Sequence, residues 1–229
     1  IWSGGTLNNP GSTTIGAAGT LVISSSADHD LNQHTLINNG IVNWTGGRIR
    51  AGNSATFVNQ ATFNDSASNV VNNDYLGTPF AFTNASGGTY NKTTAGTTRF
   101  DTTFNNDGVV NVDIGTFQLN HSGTLGAGGL FAADAGTTVN FSHNYTIADA
   151  TRLTGDGTYQ ISGGTVSLNG LVAAKNLLIT GGNTTGTHTF TAGATWNAGT
   201  MNASATTTHA AGSTWFIGTG AAHDYNQRT

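Results

Sequence analysis

The sequence predicts an all-β fold: a single right-handed parallel β-helix of roughly ten coils of about 20 residues. Three observations carry the prediction. Two short patterns recur at a spacing near that length. The strands they imply are short and alternate apolar with polar residues, which buries one face and wets the other. The residue types are those of strands and tight turns, with 40 threonines, 26 asparagines and 33 glycines among 229 residues.

The first pattern fills the N-terminal half. Its copies are Thr35 to Asn43, Thr56 to Asn64, Ala81 to Asn84 continuing at Tyr90-Asn91, and Thr103 to Asn111. Their starting points lie 21, 25 and 22 residues apart. The 25-residue interval contains an excursion at Asn72 to Phe80. The second pattern, Gly, Thr or Ala, then alternating apolar residues, runs from Gly19-Thr20-Leu21-Val22-Ile23 through Gly115-Thr116-Phe117-Gln118-Leu119 to Gly212-Ser213-Thr214-Trp215-Phe216-Ile217. Asn39-Gly40 and Asp107-Gly108 hold equivalent places in two copies and read as coil corners. Trp2 is expected to pack over the first coil. The repeated Asn has two structural explanations, tolerance of the left-handed conformation at corners and side-chain ladders between coils. A lone coil buries about five apolar side chains at about 1.5–3 kcal/mol each. Ordering its backbone costs about 1–2 kcal/mol per residue, so only stacked coils fold. The competing architecture is an antiparallel sandwich or barrel.

The same composition excludes several classes. Charged residues are 8% of the chain, all 11 acidic residues are aspartate, and the two lysines are Lys92 and Lys175. A helical bundle lacks its residues here. The absence of cysteine removes disulfides, thiol chemistry and Cys-zinc sites. A net charge of −4, spread thinly, argues against nucleic acid as a partner. No apolar run approaches the length of a membrane span. Residues 1–229 read as one solenoid domain, expected to be a piece of a larger secreted or cell-surface protein with neighbouring domains in the same chain.

The units Thr-Phe-x-Asn-x-Gly-x-Val-Asn at 103–111 and Gly-Thr-x-x-Leu at 115–119 resemble those of bacterial extracellular β-helix repeat proteins. These are the filamentous-haemagglutinin-like adhesins and autotransporter passengers. The chain is also similar to β-helical carbohydrate-binding modules attached to polysaccharide-degrading enzymes. The resemblance implies a polysaccharide-binding module or an adhesin stalk.

Catalysis is not expected. Polysaccharide-cleaving β-helices are a third reading, but glycoside hydrolysis needs two facing carboxylates, and the aspartates here are scattered beside Asn or Gly in turn-like contexts. The densest polar cluster is Asp28-His29-Asp30 with His34. Asp28 and Asp30 share one face of a strand and form a candidate metal pair, calcium being the ion considered. The competing reading is a solvated loop. No other cofactor is expected.

Sugar recognition rests on flat aromatic faces beside hydroxyl and amide groups. Trp44 is the first candidate, because the equivalent positions hold Asp65, Lys92 and Val112, and a column that accepts Asp and Lys reads as at least partly exposed; a peripheral packing residue is the alternative. Tyr75 joins it from the excursion loop, with loop anchoring as the alternative. Trp196 and Trp215 occupy the same place in their units, 19 residues apart, and should stack on adjacent coils. An interior stack is the favoured reading of that pair and a sugar platform the other. Phe216 then points outward. The function expected on these grounds is non-catalytic binding of a neutral extracellular polysaccharide, with the structural stalk as the alternative.

Overall fold

The computed structural model describes residues 1–218 and 221–229. Among them the chain forms parallel strands throughout, stacked as a β-solenoid of about ten turns of roughly 21 residues. One 3₁₀ turn, Ala150–Arg152, is the helical content described. Each turn contributes three strands, which build three columns along the axis. The first column runs from residues 5–8 and 29–32 through Ile49–Gly52, Val70–Asn72 and Thr97–Phe100 to Trp215–Ile217. The second runs from residues 12–15 and 35–38 through Thr56–Asn59, Ala81–Asn84 and Thr103–Asn106 to His223–Arg228. Gly5–Ile15 and His29–Asn38 pass through both columns, so the two make one 20-stranded sheet. The third column holds seven strands from Thr20–Ile23 to Leu153–Gly155, followed by a three-stranded set from Gly170–Val172 to Thr207–His209.

The copies found in the sequence pair residue for residue. Thr35 to Asn38 lies beside Thr56 to Asn59, which lies beside Ala81 to Asn84. The longer second interval is absorbed by a loop at 73–80, closed by the Phe80 amide donating to Asn73 Oδ1 at 3.0 Å.

Strand alternation sends every second side chain inward. Phe57, Phe82 and Phe104 stack along the second column at 4.8 and 5.3 Å between ring centres, with nearly parallel planes. Phe63 and Tyr90 stack along the third at 4.9 Å. Rings of different columns meet edge to face, as Phe63 meets Phe82 at 5.4 Å, the arrangement that ring quadrupoles favour.

The recurring Asn at the end of the second-column strands is explained by ladders, not by left-handed backbone. Asn38, Asn59, Asn84 and Asn106 are fully buried, and none of the four has positive φ. Each Nδ2 donates to the Oδ1 of the next, at 2.7, 2.8 and 2.8 Å. Asn38, Asn59 and Asn84 also donate to the carbonyls of Thr62, Thr89 and Val109, which start the following third-column strands. The corner thus carries its polar groups inside, fully paired. Glycine follows because of crowding: a Cβ on Gly108 would lie 2.2 Å from the Gly88 carbonyl oxygen. A second amide ladder, Asn43, Asn64, Asn91 and Asn111, runs along the outside of the third column with 2.9 Å links.

Candidate functional site

Trp44 is not a surface residue. It is fully buried, and its indole N–H donates to the Gly47 carbonyl at 2.9 Å. Its column, Trp44, Asp65, Lys92 and Val112, is in register and points into the core, every member having no exposed surface. The charged residues are there because partners await them inside. Asp65 accepts from the Tyr90 hydroxyl at 2.9 Å, the Thr98 hydroxyl at 2.5 Å and the Ala67 amide at 3.0 Å. Lys92 Nζ donates to Ser68 Oγ at 2.8 Å and to the Thr94 carbonyl. Burial pushes the Asp65 carboxyl pKa up and the Lys92 ammonium pKa down, because each loses water that favours its charged form.

The Asp28-His29-Asp30 cluster is knitted into an ion-pair network. Arg48 Nε and Nη2 reach the two oxygens of Asp28 at 3.1 Å each. Arg50 grips Asp30 in the same two-point fashion at 2.7 Å. Asp30 and Arg50 are direct partners on adjacent strands, and Thr6 donates to Asp30 from the preceding coil. Arg48 further reaches Asp74 at 3.3 Å. The carboxylates that were to hold calcium are therefore occupied by guanidinium groups. His29 is buried, edge to face with Trp2 at 5.2 Å, and His34 is turned away to Thr13 at 2.9 Å. Among the described residues no group of three or more His, Cys, Asp or Glu is placed to hold a metal.

The Arg48 hydrogen bond holds the Asp28 carboxyl below its ordinary value. At Asp30, burial pushes upward but the bonds from Arg50, Tyr75 and Thr6 outweigh it, and the pKa is again lowered. Depressed carboxyl values stabilise the fold above the ordinary 3.8 and lose that contribution as pH falls through the folded-state value. Arg50→Met is therefore expected to lower the melting temperature at neutral pH and to flatten its fall below pH 3.8. Thermal melts across that range check this; parallel wild-type and variant curves would contradict it.

Tyr75 is half-buried on this network. The Arg50 guanidinium lies 6.0 Å from its ring centre, and its hydroxyl joins Asp30 and Thr6. Its ring is committed to fastening the 73–80 loop onto the coils. Trp196 and Trp215 stack at 5.5 Å, 13° from parallel. Trp196 is buried and donates to the Ala198 carbonyl at 2.9 Å. Trp215 is half-buried, with His209 stacked on it at 4.5 Å; its indole N–H is buried and finds no partner among the described residues. The pair is an interior stack. Phe216 alone of the five aromatic candidates is openly exposed, at 60%.

Phe216 lies at one end of a lateral groove of about 390 Å³. Strands of successive coils line it through Thr158, Asn176, Leu178, Thr195 and Phe216, with Lys175 at the rim. Lys175 is paired with Asp156 at 2.6 Å. The outward first column makes this place distinct. In register it reads Arg99, Gln118, Asn140, Gln160, then Leu178, Thr195, Phe216. The polar members are tied to neighbours: Arg99 to Asp101 at 2.8 Å, Gln118 to Ser142 at 3.2 Å, Ser162 to Asn140 at 2.8 Å and Gln160 to Thr180 at 3.0 Å. Apolar groups then take over on the wet face. Sequence reading named Phe216 but missed Leu178 and the threonines, because only strand register puts them in one line. The signal was present in the second pattern, where Gln118 and Gln160 occupy the place that Phe216 takes later.

Comparison of the chain with protein-family models, with curated proteins and with solved structures finds no match. The geometry alone speaks for function. Among the described residues no helix is long and apolar enough to cross a membrane.

Proposed function

We propose that this chain is a rod-like structural segment of an extracellular or cell-surface protein, holding neighbouring parts of the same chain a fixed distance apart. The sealed interior supports this reading. Most of the large aromatic side chains are used along the axis, from Trp44 to Trp196, and two of the lateral faces are laced by side-chain hydrogen bonds between coils. Such a stack is a spacer whose length is set by the number of coils, about 4.8 Å each. Register gives a direct test. Val109 pairs with Leu130, so deletion of residues 109–129 removes one full turn and rejoins the chain in phase. With spin labels at Ala18→Cys and Thr208→Cys, the deletion is expected to fold and to shorten the pulsed-dipolar distance by about 5 Å. An unchanged distance, or failure to fold, contradicts the spacer.

A second reading, non-catalytic binding of a neutral polysaccharide, is favoured by one observation: the exposed Phe216 and the charge-balanced groove below it. It is compatible with the first, since a rod can also carry a ligand on one face.

A further inference from the structure

We propose that the groove between Thr158 and Phe216 is an oligosaccharide-binding site that seats a neutral glycan along the solenoid axis; the inference rests on the polysaccharide-binding reading above.

Three features of the groove carry it. Its walls alternate apolar and hydroxyl surface: Leu178 and Phe216 stand two coils apart in one outward column, with Thr195 between them. A sugar ring offers the matching alternation, C–H faces and a hydroxyl perimeter. Second, the hydroxyls are open. Those of Thr158, Thr195 and Thr214 bond to no other described residue, whereas Gln118 and Gln160 of the same face are already paired. Polar groups that the fold leaves unpaired on a concave surface are what a hydroxylated ligand needs. Third, the charge is balanced. Lys175, the cationic group that lines the groove among the described residues, is neutralised by Asp156 at 2.6 Å, so a uronate gains little over a neutral sugar and binding is insensitive to salt.

The long dimension of the groove crosses the strands of successive coils, each about 4.8 Å from the next. A linear glycan therefore runs parallel to the axis, with one ring over Phe216 and the others over Thr195 and Asn176. The groove lies on a side of the solenoid, where Asn176–Ile179 and Ala194–Trp196 are paired on both edges and Trp215–Ile217, at its end, is paired with Ala194–Trp196. A peptide lying along the axis would cross these strands rather than run beside them, so it could not extend their ladder within the groove, which favours a glycan over a β-strand partner.

Calorimetry with xylohexaose, cellohexaose, mannohexaose and laminarihexaose tests the site on the whole chain. At least one is expected to bind in the micromolar-to-millimolar range, with an affinity unchanged by added salt. Phe216→Ala should weaken it about tenfold and Phe216→Tyr should retain it. Because Phe216 is 60% exposed, the alanine variant keeps the fold, and its circular dichroism serves as the control. Tyr75→Ala, on the opposite part of the rod, should leave binding unaltered. If a glycan binds and Phe216→Ala does not weaken it, the groove is wrong while the polysaccharide reading stands. If none of the four binds, both fall. Strong loss of affinity with salt, or a dimer at high concentration that Phe216→Ser abolishes, would assign the groove to a charged ligand or to a second copy of the chain and overturn the proposal.

Discussion

Asp65→Ala is expected to destabilise the fold by about 3–5 kcal/mol, the loss typical of removing one partner from a buried charged network. The carboxylate is the acceptor for two hydroxyls, of Tyr90 and Thr98, and for the Ala67 and Ser68 amides. Alanine leaves all four donors inside without a partner, each costing about 1–3 kcal/mol when truly unsatisfied. It also leaves the buried Lys92 ammonium without the nearby opposite charge that raises its pKa. Asp65→Asn keeps the shape and one acceptor, so its loss should be smaller. Its pH dependence carries a definite sign. Burial raises the Asp65 pKa above 3.8, so the folded state favours the protonated form. That contribution is fully present below 3.8 and is lost as pH rises through the raised value. The asparagine variant does not titrate there, so its stability relative to wild type should improve as pH rises through that window. The Asp28 and Asp30 pairs respond in the opposite direction. Urea titrations of both variants across the acid range are the measurement; an alanine variant within about 0.5 kcal/mol of wild type would show that the network is dispensable.

Phe82→Ala should cost about 3–5 kcal/mol as well, for an apolar reason. Phe82 is the hub of the ring lattice. It stacks on Phe57 and Phe104 at 4.8 and 5.3 Å and meets Phe63, Tyr90 and Phe100 edge to face at 5.4, 5.8 and 5.5 Å. Removing it opens a void lined by rings from three columns that the ladders hold in place and that cannot collapse freely. Phe82→Leu keeps most of the buried area and should lose clearly less. Urea midpoints would rank the two; equal losses would mean that ring stacking adds nothing beyond volume.

The period, the short alternating strands and the coil corners at Asn39-Gly40 and Asp107-Gly108 were legible in the sequence because they are local. A strand's inward set and its turn residues sit within a few positions of each other. What lay hidden depended on side-chain partners in other coils. Asp65 and Lys92 marked their column as exposed by the ordinary cost of burying charge. That cost is offset here by Tyr90, Thr98 and Ser68, contributed from up to 33 residues away. Trp44 was misplaced with them. Asp28 and Asp30 gave a cation pair on spacing alone, while Arg48 and Arg50, 20 residues on, share their spacing and so meet them one for one. For Phe216 the outward direction was readable, but the groove beneath it takes shape only once Thr158, Leu178 and Thr195 are set in register.

The buried asparagine ladder stops at Asn106. Its next neighbour in the column is Leu125, then Ile147 and Leu168. The rod is therefore made of two materials joined end to end. Up to Asn106, successive turns are latched at that corner by buried side-chain amide bonds as well as by rings; beyond it, Leu125, Ile147 and Leu168 fill the same place and the buried amide ladder is gone. Under tension or heat such an object has a grain. The C-terminal turns are expected to open before the latched half, which hydrogen exchange along the chain would show. A surface protein built this way would lengthen by stages under load before it failed.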